Sequence, residues 1–406
     1  MKEVSVEHFR AECLEFLQAN AQPLDRTEVG AWGRGSDIVA LYEELNPTEE
    51  IEKLRKAKEW RSKRFDANLG WITGPVELGG RGLAGTFEGE YNRLEAQFDV
   101  PDQGCFGVGL GMVAPTILAH GTEAARAQYL RGLYRSDLIG CQLFSEPGSG
   151  SDLASVSTRA VKQGNNWVIT GQKVWTSGAH YSQIGEVLCR TNSAVPKHKG
   201  LTAFIVDMDS PGVEVRRLRQ MTGGSSFNEV FLDEVVVPDR NRLGDVDGGW
   251  EVALTTLMNE RASIGGTRAQ GGLTAARRRL TELLQHTGQS ADPVLRQELM
   301  KLYTGFTLSH WTSQRAMERL KSGQPPGPEL SISKMALTQN LTRTSEFVGQ
   351  VLGPALCADT GAWGTFAWSK FVCGTPGIRI AGGTDEVMRN IVAERVLGLP
   401  KDAPTN

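Results

Sequence analysis

The sequence predicts an α+β protein whose sheet lies mid-chain, between two helical zones. Three observations carry that reading. Residues 1–137 and 246–406 space their apolar side chains for helices, as in Phe9, Cys13, Phe16 and Leu17. Residues 138–245 instead hold short runs rich in Val, Ile, Thr and aromatics (WVIT, EVLCR, LTAFIVDM, VFLDEVVVP), punctuated by turn residues. An α–β–α order of this length fits helices segregated around an inserted sheet. The expected domains are therefore an N-terminal helical domain (1–137), a middle antiparallel β-barrel or sandwich (138–245) and a C-terminal helical domain (246–406).

Within the first zone, residues 117–130 continue the helical spacing, and a glycine-rich loop covers 74–85. The run GVGLG at Gly107–Gly111 has no third glycine in register and no strand–turn–helix frame, so it reads as close helix packing. In the middle zone a strand begins near Trp167 and ends at Ser177. The third zone opens with a helix over Trp250–Arg268, and loops are marked by GQPPGPE at 323–329 and GTPG at 374–377.

At 406 residues the chain exceeds the size of one growing core, so more than one packed unit is expected. Apolar content of 40% and charged content of 22% are those of a soluble globular protein. A net charge of −3 and a pI near 6.2 argue against nucleic-acid or membrane-surface binding. No apolar run approaches the roughly 20 residues that span a bilayer. The N-terminal MKEVSVEHFRAECLEFL is charged and amphipathic, unlike a secretory signal. The six cysteines (Cys13, Cys105, Cys141, Cys189, Cys357, Cys373) show no ligand spacing and read as buried thiols of a cytoplasmic protein, with no metal site.

Two blocks in the middle zone can hold a flat polar ring with a phosphate tail. In CQLFSEPGSGS (Cys141–Ser151), Pro147 fixes one dihedral, and Gly148 and Gly150 let the backbone approach a ligand. Ser145, Ser149 and Ser151 offer hydroxyls. A polar surface turn ending a strand accounts for this block taken alone. The second block, GQKVWTSGA (Gly171–Ala179), puts Trp175 beside Thr176 and Ser177. A tryptophan at a strand end also reads as core. Near the C-terminus, Gly382 and Gly383 form an open turn, with Thr384 as N-cap and Asp385 and Glu386 at the positive end of a helix. Helix-start chemistry alone accounts for those residues.

Together these blocks, about 25 residues apart in the first pair, resemble the acyl-CoA dehydrogenase family along nearly the whole chain. The resemblance implies a helical N-terminal domain, a middle β-barrel domain and a C-terminal four-helix bundle. It implies FAD, held by Leu143, Ser145, Ser151, Trp175, Thr176 and Ser177, with the indole on the isoalloxazine and Ser177 near N5. It also implies Gln297 as a flavin contact, and a GQVLGP segment whose Gln350 and Gly353 reach a neighbouring subunit's flavin. Thr384 and Glu386 would line the flavin, and Ser151, Arg261 and Gly383 the substrate. The backbone N–H of Gly382 would donate to the thioester carbonyl. The reaction is α,β-dehydrogenation of an acyl-CoA: a carboxylate takes the α-proton, the β-hydrogen leaves as hydride to flavin N5, and electrons pass to an electron-transfer flavoprotein.

Most relatives carry the catalytic glutamate just before Gly-Thr, where this sequence has Gly382. A minority resembling the isovaleryl-CoA and long-chain enzymes places it on the helix after the sheet, which here holds Glu260 in LMNERASIGG. Glu260 is therefore the expected base; a solvated helical glutamate is the plain alternative. The Arg-x-x-Phe-Gly motif that clamps the flavin pyrophosphate across a subunit interface is absent, His286 and Gln289 standing in its register; three outcomes stay open, Arg296 as a candidate substitute, a more loosely held flavin, or a different partner chain. Arg261 keeps its family position, but its CoA-binding neighbour is Met258 rather than an acid. A homodimer or homotetramer is expected, a heteromer being the alternative. Two rivals are a flavin-free subunit of a heteromeric dehydrogenase and a flavin oxidase or monooxygenase of the same fold.

Overall fold

The computed structural model describes residues 4–24, 32–42, 45–264, 278–321 and 327–401. These form two compact units. The first comprises residues 1–24, 44–220 and 225–259; the second comprises 25–43, 221–224 and 260–406.

In the first unit, helices α1 (Val6–Asn20), α2 (Pro47–Asp66) and α3 (Gly85–Glu95) are followed by α4 (Ala114–His120) and α5 (Glu123–Arg135). Capping explains the starts of α1, α2 and α5. Ser5 accepts from the His8 N–H, and Asn46 and Glu49 form a reciprocal capping box on α2. The helical stretch expected over 117–130 is two helices, because Thr122 caps a new one after Gly121. Gly109 uses its missing side chain for packing: a Cβ there would stand 3.0 Å from the Gly140 nitrogen.

The sheet holds eight strands: β3 (Gly140–Leu143), β4 (Arg159–Gln163), β5 (Asn166–Ser177), β6 (Ile184–Arg190), β7 (Leu201–Asp207), β8 (Val213–Leu218), β9 (Phe227–Pro238) and β10 (Arg242–Leu243). Their order is β10-β7-β6-β4-β5-β9-β8, with β3 also paired to β6. The expected antiparallel barrel is corrected on two counts. The sheet does not close, and β3–β6 and β4–β6 are parallel pairs. Its two free ends are protected without closure: β10 is two residues long, and β8 carries Glu214, Arg216 and Arg217 along an exposed edge. Strands β6 and β7 are buried on both faces. Ile184 and Leu188 meet the helical layer, while Val187 and Cys189 face the other strands, which is why both strands read as near-continuous apolar runs.

One acid interrupts β6. Glu186 is fully buried; it accepts from Thr256 Oγ1 at 2.7 Å, and its second oxygen has no partner among the described residues. Burial pushes its carboxyl up to about 8, against the Thr256 bond. A folded-state value above the unfolded one means stability is fully present below about 4.5 and is lost as pH rises toward 8. Glu186→Gln is expected to remove that decline, gaining stability on wild type as pH rises through the window. Urea unfolding at pH 5 and pH 8.5 measures it, and equal pH dependence in both proteins refutes it.

The second unit contains a helix over residues 278–286 (α7), α8 (Pro293–Lys321), α9 (Leu330–Leu352), α10 (Ala367–Ile380) and α11 (Asp385–Ile391). Leucines of α7 and α8 pack with Leu337, Leu341 and Phe347 of α9 and Trp368 and Phe371 of α10. A segment over residues 32–42 lies on this core through Trp32, Val39 and Leu41. The GTPG run expected as a loop lies inside α10. Its glycines serve contact rather than turning, since a Cβ on Gly377 would stand 2.7 Å from the Tyr42 hydroxyl. Of the 323–329 loop, only 327–329 are among the described residues.

Helix α6 (Gly249–Ile264) runs through the division between units. Residues 265–268, expected as its end, lie outside the described residues. All six cysteines are free thiols; Cys13, Cys141 and Cys189 are buried, whereas Cys357 is exposed.

Candidate active site

In the first unit the two polar blocks meet. The Val174 N–H donates to the Ser145 carbonyl at 2.9 Å, and Lys173 Nζ donates to Glu146 Oε1 at 2.9 Å. Both charges are buried, Lys173 completely. Lys173 also donates to the Phe144 and Leu188 carbonyls, at 3.0 and 2.7 Å. Glu146 takes three more donors, the Ser157 N–H and hydroxyl and the Thr158 N–H. Burial alone would raise the Glu146 carboxyl; the Lys173 ammonium and these donors outweigh it and hold it at about 2. The turn itself closes by paired backbone bonds between Glu146 and Ser149. Gly148 and Gly150 are exposed, with open space where a Cβ would stand.

Trp175 ends this strand with its ring uncovered: it is 62% exposed, in edge contact with the Phe227 ring. Its φ of +62° is unusual for a bulky residue and coincides with a break in β5–β9 register between Lys173 and Thr176. Strain of this kind persists only where the surroundings impose it. Here Asn228 imposes part of it, donating to the Thr176 carbonyl at 2.9 Å while its own oxygen meets His180, which in turn meets Glu50. Ser177 and Ser151 are exposed and Ser145 is half-buried. Thr176 Oγ1 is buried and has no partner among the described residues. The Leu143 side chain lies in the core, so only its main chain can meet a ligand. An uncovered indole, exposed hydroxyls, an orphaned buried hydroxyl and two open glycines fit FAD, whose ring is flat and whose tail is rich in acceptors.

The second unit holds the other candidates. Glu260 on α6 is half-buried, and burial pushes its carboxyl up to about 7 against the positive charges of Arg261 and Lys334. Arg261 Nε is buried without a partner among the described residues. The side chains after Arg261, including Gly265 and Gly266, lie outside the described residues. Gly382 and Gly383 adopt φ of +67° and +93°, a region open to glycine at no steric cost. Thr384 caps α11 by accepting the Val387 N–H at 3.2 Å. The two acids after it part company. Glu386 is exposed and pairs with Arg389, whereas Asp385 is buried and bonded to Thr338 Oγ1 and Arg379 Nε, each at 2.8 Å.

Gln297 and Gln350 come together: both line a cavity of about 660 Å³ between α8 and α9. Its charged lining is Glu298, Lys301, Arg343 and Glu346, two cations against two carboxylates. Arg296 is not among the lining residues. Gly353 carries φ of +49°, its N–H is taken by the Gly349 carbonyl, and it opens a 3-10 turn over Gly353–Leu356. In the register of the missing arginine clamp, His286 stacks on Trp32 at 4.5 Å and Gln289 donates to the Val351 carbonyl at 2.9 Å. Sequence reasoning passed over Glu146, Lys173, Lys334 and Asn228. A lysine on the inward side of a strand was the one available signal.

Comparison with known proteins agrees with this chemistry. The acyl-CoA dehydrogenase middle-domain model matches residues 141–235, and the C-terminal-domain model matches residues 247–397. Acyl-CoA dehydrogenase IpdE1 of Mycobacterium tuberculosis is 34% identical over 98% of this chain and 99% of its own length. Acyl-CoA dehydrogenase FadE34 of the same organism is 41% identical over 71% of this chain, which spans 39% of that longer protein. Among solved structures, the ChsE4–ChsE5 complex of Mycobacterium tuberculosis aligns with a TM-score of 0.72 at 23% identity, covering 99% of this chain and 100% of that one. The Tcur3481–Tcur3483 steroid acyl-CoA dehydrogenase aligns at 0.74 and 23%, covering 99% of each chain. Among the described residues no helix is long and apolar enough to cross a membrane. The chain belongs to the acyl-CoA dehydrogenase family of FAD-dependent oxidoreductases.

Proposed function

We propose that Glu260 removes the α-proton of an acyl-CoA thioester, and that the electrons leave through an electron-transfer flavoprotein. One observation carries this reading: a half-buried carboxylate on the helix after the sheet, raised to about 7, in a sequence whose usual base position is Gly382. A base works best when its proton affinity lies near working pH, and burial supplies that here. Bound FAD supplies the hydride acceptor. Leu143 (through its main chain), Ser145, Ser151, Trp175, Thr176 and Ser177 would hold it, and Thr384 and Glu386 would line it. The Gly382 N–H steadies the thioester oxygen as negative charge develops there. Arg261, Gly383 and Ser151 contact the substrate. Gln297 would contact flavin, and Gln350 and the Gly353 backbone would reach the flavin of a partner copy in a cytoplasmic dimer or tetramer.

A heteromeric assembly is the second reading. It is favoured by His286, which is committed to Trp32 within its own chain and offers no clamp to a neighbour's pyrophosphate. The two-chain ChsE4–ChsE5 and Tcur3481–Tcur3483 proteins, similar in fold, support the same reading. Steroid side-chain thioesters accordingly belong in the substrate screen.

The test is anaerobic bleaching of the flavin absorbance by butanoyl-, 3-methylbutanoyl-, octanoyl-, hexadecanoyl- and 3-oxocholest-4-en-26-oyl-CoA. Bleaching by at least one thioester, with slow reoxidation in air, is expected. A colourless protein that takes up no FAD selects the flavin-free subunit, and rapid reoxidation selects an oxidase.

A further inference from the structure

Lys334, on the second turn of α9, is fully buried. Its ammonium donates to the Gly383 carbonyl at 2.6 Å and the Arg379 carbonyl at 3.1 Å, and lies 3.7 Å from Asp385 Oδ1. Two of its donors thus meet carbonyl acceptors, and the Asp385 carboxylate stands just beyond hydrogen-bond distance as a neighbouring opposite charge. The acceptors come from chain 45 to 51 residues away, so the contact is tertiary. Arg379 sits in the last turn of α10, where helix carbonyls lack partners of their own.

Between the two bonded carbonyls lie Ile380, Ala381, Gly382 and Gly383. Both glycines have positive φ, and glycine is the residue least able to hold a peptide plane by itself. The ammonium pins this segment at both ends. The same positive charge, together with that of Arg261, favours the ionised form of Glu260. The other charged groups around it are Asp385 of α11 and Arg379 of α10, which pair with each other at 2.8 Å.

We infer that Lys334 is a positioning residue for the dehydrogenation: it fixes the Gly382–Gly383 turn through the Gly383 and Arg379 carbonyls and supplies positive charge that favours the Glu260 carboxylate. This rests on Glu260 being the base. Burial lowers the ionisation of Lys334 itself, and Asp385 opposes that effect, which keeps the ammonium charged.

The experiment compares wild type, Lys334→Met and Lys334→Gln in FAD-loaded protein. It uses the thioester of the five named above that bleaches wild type fastest. Flavin reduction is followed from pH 5.5 to 9.5, and the Glu260 carboxyl is titrated by infrared difference against Glu260→Gln. Lys334→Met is expected to move both the rising limb and the infrared midpoint upward by about one pH unit, and to lower the limiting rate at least tenfold. Lys334→Gln, whose amide can still donate to a carbonyl but carries no charge, is expected to move both upward as well, with a smaller loss of limiting rate. If Lys334→Met does not fold, the upward shift in Lys334→Gln still decides. Limbs and midpoints that stay at the wild-type position in the folded variants overturn the inference, leaving Lys334 a structural residue. Full bleaching by Glu260→Gln overturns the base assignment, and this inference with it.

Discussion

Glu260→Gln is expected to keep its flavin spectrum while losing substrate bleaching by a factor on the order of 10²–10⁴, the usual worth of a positioned general base. An amide of the same shape cannot accept the proton, so the loss falls on the chemical step. In wild type the rate should climb with pH through about 7, because the carboxyl must ionise against its burial. Stability runs the other way. A value raised above 4.5 favours folding below that pH and costs stability as pH rises toward 7. Glu260→Gln should therefore unfold no more easily than wild type at pH 8, which separates lost catalysis from misfolding. Moving a carboxylate to position 382 in that background meets an obstacle: φ there is +67°, a conformation any side chain resists. Stopped-flow bleaching and urea unfolding measure both effects, and wild-type bleaching rates in Glu260→Gln would falsify the assignment.

Lys173→Met is expected to be the most destabilising single change, by about 3–5 kcal/mol, the cost of stripping one partner from a buried ion pair. Glu146 would remain in the core with only the Ser157 and Thr158 donors. The pair joins the serine turn to the strand carrying Trp175, so FAD should also dissociate more readily. Replacing both partners, Lys173→Met with Glu146→Gln, is expected to recover much of the loss, since no uncompensated charge remains. In wild type the lowered Glu146 value contributes stability above about 4.5 that disappears as pH falls toward 2. Guanidinium unfolding at pH 7 and pH 3 tests this, and a double variant no better than the single one would count against the mechanism.

The texture of the chain revealed where strands begin and end, because β-rich runs such as LTAFIVD and VFLDEVVVP are bounded by turn residues. It did not reveal that the sheet stays open. Closure depends on whether β10 and β8 can meet, and that is decided by the two-residue length of one and the charged edge of the other. The GTPG run misled for a related reason: Gly374 and Gly377 make room for Tyr42, which lies more than 330 residues earlier in the chain. Trp175, Ser177 and the Gly382–Gly383 turn were legible because each is a local departure from the pattern around it. Lys173 and Lys334 were not, since a lysine in sequence looks solvated until distant carbonyls close over it.

Helix α6 carries one more implication. Val252, Thr256 and Glu260 stand four residues apart, on a single row of the helix, with the first two fully covered. One residue inserted between Thr256 and Glu260 would turn the acid by about 100° and advance it about 1.5 Å. The proposed proton abstraction therefore depends on a phase as much as on a residue. Chains that lengthen this stretch by a whole number of turns should tolerate the change far better than chains that lengthen it by one or two positions.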